Sequence, residues 1–212
     1  MRFLRRIIQR YFRGNLGLSI LTISSFIAGI TMGTLFVRFL GAECLQKMQI
    51  SLDMFFQDLR FYPDRGLDPY YILKASYRKN ISFLILAWLF GFLRLGFPFV
   101  LLALLLRGLA LGFTSGFLVY SFALKGLILS LALLPHHIIL VPALLLVVAV
   151  ATAYSYMNYS EKVSYKKKAQ LKLHFREYCI YMFLSAVLIL AAGLVEAYIS
   201  PIFMRQVVSF IF

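Results

Sequence analysis

"GLALGFTSGFLVYSFAL", residues 108–124, places Gly108, Gly112 and Gly116 four residues apart in an otherwise apolar run. In a helix, residues at that spacing lie on one face. "LGLSILTISSFIAGITMGTLFV", residues 16–37, repeats the pattern with Gly29 and Gly33. Faces built from small residues let two helix backbones approach closely, which matters most in lipid, where no hydrophobic drive holds helices together. We read these five glycines as helix-packing faces within one chain, in preference to a homo-oligomer contact.

The rest of the composition agrees with a lipid setting. Of 212 residues 62% are hydrophobic and 14% charged, with a mean hydropathy of +0.85. A soluble domain is about 45–50% apolar and about 25% charged. The net charge of +14 does not point to nucleic acid, because it is concentrated beside apolar runs. Five arginines occupy the first 13 residues, and six Lys/Arg fall in "EKVSYKKKAQLKLHFR", residues 161–176. Basic segments flanking spans are cytoplasmic under the positive-inside rule and meet anionic membrane lipid. Five of the eight acidic residues lie between the first two apolar runs, so that segment reads as outside. Residues 16–37 are too long for a signal-peptide core of about 7–15 residues and read as an anchor.

The expected fold is therefore all-α: a polytopic membrane helix bundle of about five apolar segments in one membrane domain. The spans are 16–37, 80–106, 108–124, 126–153 and 178–200, with an outside loop at 38–79 and a basic inside loop at 154–177. Two spans are interrupted. "GFLRLGFP" breaks the second, and as one continuous helix it would hold Arg94 near mid-membrane; Pro135 breaks the fourth. We prefer five crossings; the alternative makes 80–106 and 126–153 re-entrant hairpins.

Within the outside loop, Leu45, Met48, Leu52, Phe55 and Leu59 recur at three- and four-residue spacing, and Phe56 widens the stripe. That is an amphipathic helix. It lies on the leaflet or packs on the bundle; docking of a partner on this stripe is the sharper reading. Asp68-Pro69 looks like a helix cap followed by proline in the first turn.

No catalytic motif is visible, and neither a cofactor nor a metal is expected. Adjacent His136 and His137 point about 100° apart on a regular helix and cannot share one ion from it. They are read as supplying hydrogen bonds to carbonyls freed by Pro135. The competing functional reading is an anion site or a proton relay with Glu196 or Arg94. Glu196, alone among apolar neighbours, calls for an internal cation: Arg94, Arg107 or Lys125. Cys44 and Cys179 are expected on opposite faces, without a disulfide.

"LRLGFPFVLLALLLRGLALGFTSGFLV" (93–119), "KGLILSLALLPHHIILVPALL" (125–145) and "VEAYISPIFM" (195–204) together resemble the stage II sporulation protein M family of endospore-forming Firmicutes. The resemblance covers nearly the whole chain. It implies a non-enzymatic component of an engulfment machine in the mother-cell membrane at the sporulation septum, with a cytoplasmic N-terminus. Its implied partners are the membrane-anchored peptidoglycan hydrolases, stage II sporulation proteins D and P. A transporter- or channel-like core moving a small solute or ion is the alternative, resting on the two broken segments and on Arg94, His136, His137 and Glu196.

Overall fold

The computed structural model describes residues 16–61, 68–132, 134–160 and 167–211. The N-terminal basic block and the side chain of Leu59 lie outside the described residues. The fold is a helical bundle without strands among those residues. Its elements are α1 (Leu16–Phe36) with a 3-10 turn (Val37–Phe39), α2 (Ala42–Phe61), α3 (Pro69–Phe92) and α4 (Phe97–Ala132). They continue with α5 (Leu134–Ser160), α6 (Lys167–Leu194), a π turn (Val195–Ile199) and α7 (Ser200–Ile211). Four stretches are long and apolar enough to cross a membrane: Gly17–Phe39, Phe97–Leu131, Pro135–Asn158 and Phe175–Phe210.

The glycine faces of α1 and α4 pack on each other. A Cβ on Gly112 would collide with the Ile30 carbonyl, and one on Gly33 with the Leu109 carbonyl. A Cβ on Gly108 would stand 2.6 Å from the Phe26 carbonyl oxygen, and one on Gly116 3.0 Å from the Thr34 Cα. Gly29 meets Leu105 in the same way. The backbones are close enough for Ser25 to donate to the Leu101 carbonyl (3.2 Å) and Thr34 to that of Gly112 (3.1 Å). These faces are thus filled from within the chain and offer no berth for another protein's anchor.

Along that contact the numbers rise together: 26 with 108, 30 with 112, 34 with 116. Hence α1 and α4 are parallel, and the chain between them must return along the whole bundle. That return is α3. It runs antiparallel to α4, with Phe90 stacked on Phe99 (5.4 Å between centroids) and Arg107 over Phe83 (4.9 Å). The end where α1 finishes and α3 begins is called the upper end here. At the lower end, Leu93–Gly96 forms a tight turn in which a Cβ on Gly96 would strike the Phe90 carbonyl.

Several expected boundaries move. The break in 80–106 falls at 93–96, and α4 runs straight through Arg107, which ends no helix. Arg94 is exposed in the lower turn and not at mid-depth. That turn joins α3 to α4 inside the stretch "GFLRLGFP", where the sequence placed the interruption. The break expected at Pro135 is present, since α4 ends at Ala132 and α5 starts at Leu134, and a further one falls at Ala123, whose φ of 49° and ψ of −123° bend α4 sharply. Gly126 then returns against the Leu118 carbonyl, so 124–132 folds back on the top of α4. Much of the expected basic loop is helical, since α5 extends to Ser160 and α6 starts at Lys167.

α5 descends from the upper end to the lower. Its Ser155 accepts from the Phe97 N–H (3.0 Å) and donates to the Leu93 carbonyl (2.6 Å), pinning the lower turn. α6 climbs back beside it, with Tyr178 stacked on Tyr154 (4.4 Å) low down. α5 is the central helix: 72% of its most apolar 18-residue stretch is buried, against 28%, 22% and 33% for those of the other three. The small and β-branched residues Ala143, Val147, Ala151 and Val150 let α3, α4 and α6 close around it. Above the bundle, Phe56 of α2, Leu118 and Leu129 of α4 and Val208 of α7 form a separate apolar cluster that roofs the upper end. Cys44 and Cys179 are free thiols on α2 and α6.

Gly112→Leu forces the α1 and α4 backbones apart and costs about 1–3 kcal/mol by overpacking. The fraction of full-length chain surviving heating as one species on detergent size exclusion checks it. Gly17→Leu, at a position with nothing within 4 Å, leaves that fraction unchanged.

Candidate functional site: a polar chain inside the bundle

α3 begins where the sequence signals it. The Asp68 carboxylate accepts from the Tyr70 N–H (3.0 Å), and Pro69 fills the first turn, where a missing N–H costs nothing. Only residues 81–92 of α3 form an apolar run. Its upper half carries Ser76 and Asn80 one turn apart on the inner face, 3% and 2% exposed. Buried polar groups need partners, and here they have them.

The Arg107 guanidinium donates to the Asn80 Oδ1 (2.8 Å) and to the Lys79 carbonyl (2.7 Å). Asn80 Nδ2 donates to the Ser76 Oγ (3.2 Å), and the Ser76 hydroxyl donates to the Glu196 Oε2 (2.5 Å). Each group donates to the next from cation to carboxylate. The direction is dictated, because a guanidinium has no acceptor and a carboxylate no donor. Glu196 therefore finds Arg107, one of the three cations weighed for it, through two intervening side chains.

Glu196 is aimed by the π turn. Pro201 lacks an N–H and would clash with the carbonyl four residues back in a regular helix. The chain widens by one residue instead, and the Ser200 N–H reaches the Val195 carbonyl, five residues back. Such π turns insert a residue without ending the helix and recur at functional sites.

The histidines sit beside this chain. Pro135 stands in the first turn of α5, where it frees no carbonyl within a helix, so the role expected for the histidines there falls away. His136, 6% exposed, instead shares a hydrogen bond of 3.2 Å with the Ser200 hydroxyl. The two imidazole rings lie 3.9 Å apart, and the Nδ1 of His137 is buried without a hydrogen-bond partner. Lys79 lies within electrostatic range of both rings, and Glu196 within range of His137. α3, α4, α5, the π turn and α7 thus each contribute to one polar cluster. No group of three or more His, Cys, Asp or Glu able to hold a metal occurs among the described residues.

Of the residues singled out from the sequence, Glu196, His136 and His137 come together, and Arg94 is remote from them in the lower turn. Ser76, Asn80, Ser200 and Lys79 were not singled out. The only sequence signal for them was the i, i+4 spacing of Ser76 and Asn80 ahead of an apolar run. The α2 stripe faces the bundle. Phe56 is 6% exposed and packs on Phe122 (5.7 Å), with Leu52 beside it. Leu45 and Met48 are half-buried, whereas Phe55, Ile50 and Met54 are exposed. The stripe therefore roofs its own bundle in part, because burying Phe56 on α4 and α7 costs no partner's association entropy. Between α2 and α4 a groove of about 430 Å³ remains, lined by Met48, Leu52, Phe55, Phe113 and Phe117 among others.

The family model of stage II sporulation protein M matches residues 21–201. The chain belongs to that family. The matched range takes in every residue of the polar cluster and all of α2. Neither a curated protein nor a solved structure matches the chain. Family membership makes this a sporulation-related membrane protein, and the four apolar stretches are those of a multi-pass chain.

Asn80→Leu removes the side-chain acceptor of Arg107, whose guanidinium keeps only the Lys79 carbonyl, at about 1.5–3 kcal/mol. Denaturant titration in mixed micelles measures that loss, and the double variant N80L/R107M restores most of it. A cost within about 0–1 kcal/mol, the range of an exposed pair, contradicts a buried chain.

Proposed function

We propose that this member of the stage II sporulation protein M family is a non-enzymatic scaffold. It localises and holds membrane-anchored peptidoglycan hydrolases, stage II sporulation proteins D and P, during engulfment. The observation that carries the reading is the roof of the bundle. α2 turns Phe56 inward and presents Ile50, Met54 and Phe55 outward, 51%, 53% and 41% exposed, above an apolar groove. Apolar surface held rigidly away from the chain's own core fits a protein-binding face.

In this reading the lower end, with the basic block before α1, Arg94 and the basic segment between α5 and α6, is cytoplasmic. The upper end, carrying Glu43, Asp53 and Asp68, faces the wall from the mother-cell membrane. The polar cluster then serves to lock the five crossing helices into one rigid platform. One observation favours the transporter- or channel-like alternative: the Arg107–Asn80–Ser76–Glu196 chain lies at mid-depth, where polar groups commonly mark ion or solute paths.

Ile50→Glu with Met54→Glu abolishes co-recovery of the hydrolases from crosslinked sporulating membranes, while the protein level stays normal. Undiminished recovery removes α2 as the docking face. Should E196Q block engulfment while the hydrolases are still recovered, the transport reading takes precedence.

A further inference from the structure

The groove of about 430 Å³ between α2 and α4 has a definite chemistry. On the α4 side its wall is Phe113, Thr114 and Phe117. On the α2 side Met48, Leu52 and Phe55 form the apolar middle of the wall, and Lys47 and Ser51 stand on its outer edge, turned away from buried Phe56. Lys47, Ser51 and Thr114 are exposed, so the groove is open along that edge. The Ser51 hydroxyl donates to the Lys47 carbonyl (3.0 Å) and the Thr114 hydroxyl to that of Ala110 (2.9 Å). Both hydroxyls are thus spent on their own helices, and the free donor at the rim is the Lys47 ammonium. Among the described residues Lys47 forms no ion pair, not even with exposed Glu43 one turn earlier.

The α1–α4 seam sets the depth of this groove. Because 26 opposes 108, 30 opposes 112 and 34 opposes 116, residue 28, midway along Gly17–Phe39, is level with residue 110. Residue 110 is also midway between the start of α4 at Phe97 and its bend at Ala123. Two apolar stretches long enough to cross a membrane therefore place their centres at one level. Phe113, Thr114 and Phe117 lie three to seven residues above it, about 4–11 Å at 1.5 Å per residue. Half of a hydrocarbon core of about 30 Å is about 15 Å, so the α4 wall stands at acyl-chain depth. Phe39 is eleven residues above the centre, about 16 Å, so α2 sets out from the edge of that core with Lys47 in its second turn.

We infer that the groove holds one phospholipid of the upper leaflet, with an acyl chain between Leu52, Phe55, Phe113 and Phe117 and the phosphate against Lys47. Ligand pockets measure about 300–1,000 Å³ and are lined mainly by apolar and aromatic side chains with a few polar groups that fix orientation. This one offers a single cation, which suits a ligand with one anionic group and a long apolar body. An ammonium is a point charge that meets phosphate oxygens through charge-assisted hydrogen bonds. An extended peptide would bring backbone donors and acceptors that these walls leave unmatched, at a cost an acyl chain does not incur. A partner helix, about 10 Å across, needs about 850 Å³ for two turns, roughly twice the space present. The site does not rest on the scaffold reading, since Ile50 and Met54 line no part of it. Lipid in the groove would support α2 from beneath and leave those two residues as the outward surface.

Native mass spectrometry of the full chain, extracted from membranes and washed in lipid-free detergent until loosely held lipid is gone, reads the site. One phospholipid mass per chain is expected to remain. Ser51→Phe with Thr114→Phe fills the groove from both walls and is expected to lower the retained fraction at least about tenfold, a decade in affinity. Leu102→Phe, on an exposed part of α4 outside the groove, leaves it unchanged. Lys47→Gln lowers it about fivefold, the upper range for an exposed ionic contact, and Lys47→Arg restores it. A wild-type chain that keeps no phospholipid overturns the proposal without recourse to any variant. Retention unchanged in S51F/T114F overturns it too, because the lipid would then sit elsewhere. Phe55→benzoylphenylalanine, an aromatic exchange at the groove, supplies a second readout in intact membranes. Its photo-adduct is expected to carry a phospholipid mass, and an adduct with a polypeptide in its place would assign the groove to a protein and overturn the lipid. Neither result bears on recovery of the hydrolases by the I50E/M54E chain, so the two readings fail separately.

Discussion

The parallel, backbone-to-backbone contact of α1 with α4 is the constraint from which the rest of the fold follows. Helices in lipid gain nothing from hydrophobic association, so close packing and weak Cα–H···O contacts hold them together, and these need small residues at the seam. Gly29, Gly33, Gly108, Gly112 and Gly116 supply that seam on both partners. Two parallel neighbours cannot be joined by a short hairpin. The chain leaves α1 at the upper end, lays α2 across it, and must descend through α3 before α4 can begin. The roof and the polar third helix are consequences of one packing choice.

That choice brings a difficulty with it. α3 runs back along the whole of α4's lower part although only its own lower half is apolar, and α4 carries Arg107 level with the middle of the apolar stretch of α1. Neither would be tolerated alone. Together with the π turn they compensate each other. Asn80 and Ser76 relay hydrogen bonds from Arg107 to Glu196, and Pro201 widens the helix so that Glu196 points inward. Breaking a buried ionic network costs far more than its net contribution suggests, because the stranded charge keeps its desolvation penalty. The network therefore acts as a register lock between α3, α4 and the end of α6. It also divides α3 into an inner face spent on the bundle and an exposed outer face with Lys74 and Arg78.

Much of the architecture was legible in the sequence, and the failures have physical causes. The glycine spacing announced the α1–α4 seam, and hydropathy announced a bundle with two interrupted segments. Charge misplaced one boundary. Arg107 between two apolar runs looks like the edge of a span, but its side chain is satisfied by Asn80 and the Lys79 carbonyl, so the helix has no reason to stop. The true stop is the Leu93–Gly96 turn, where Gly96 passes too close to the Phe90 carbonyl for any Cβ. Glu196 was legible as a residue in need of a cation. The intermediaries were not, since Ser76 and Asn80 sit in a stretch whose polarity reads as an outside loop. The α2 stripe was legible as amphipathic, but periodicity cannot say what the apolar face meets. The structure turns Phe56 onto α4 and α7 and leaves Ile50 and Met54 outside.

The central claim is that α3 and α4 are separate crossings joined by a turn at the lower end, with the Ala123 bend at the upper. Cysteine accessibility tests it directly. Leu95→Cys and Leu124→Cys, at positions 61% and 81% exposed, are made singly in a chain whose Cys44 and Cys179 are replaced by serine. Intact protoplasts are then treated with a membrane-impermeant maleimide. The account predicts that the Leu124→Cys chain is labelled at once and the Leu95→Cys chain only after permeabilisation. Labelling of both from the same side, or of Leu95→Cys alone from outside, would contradict it and return 80–106 to a re-entrant hairpin.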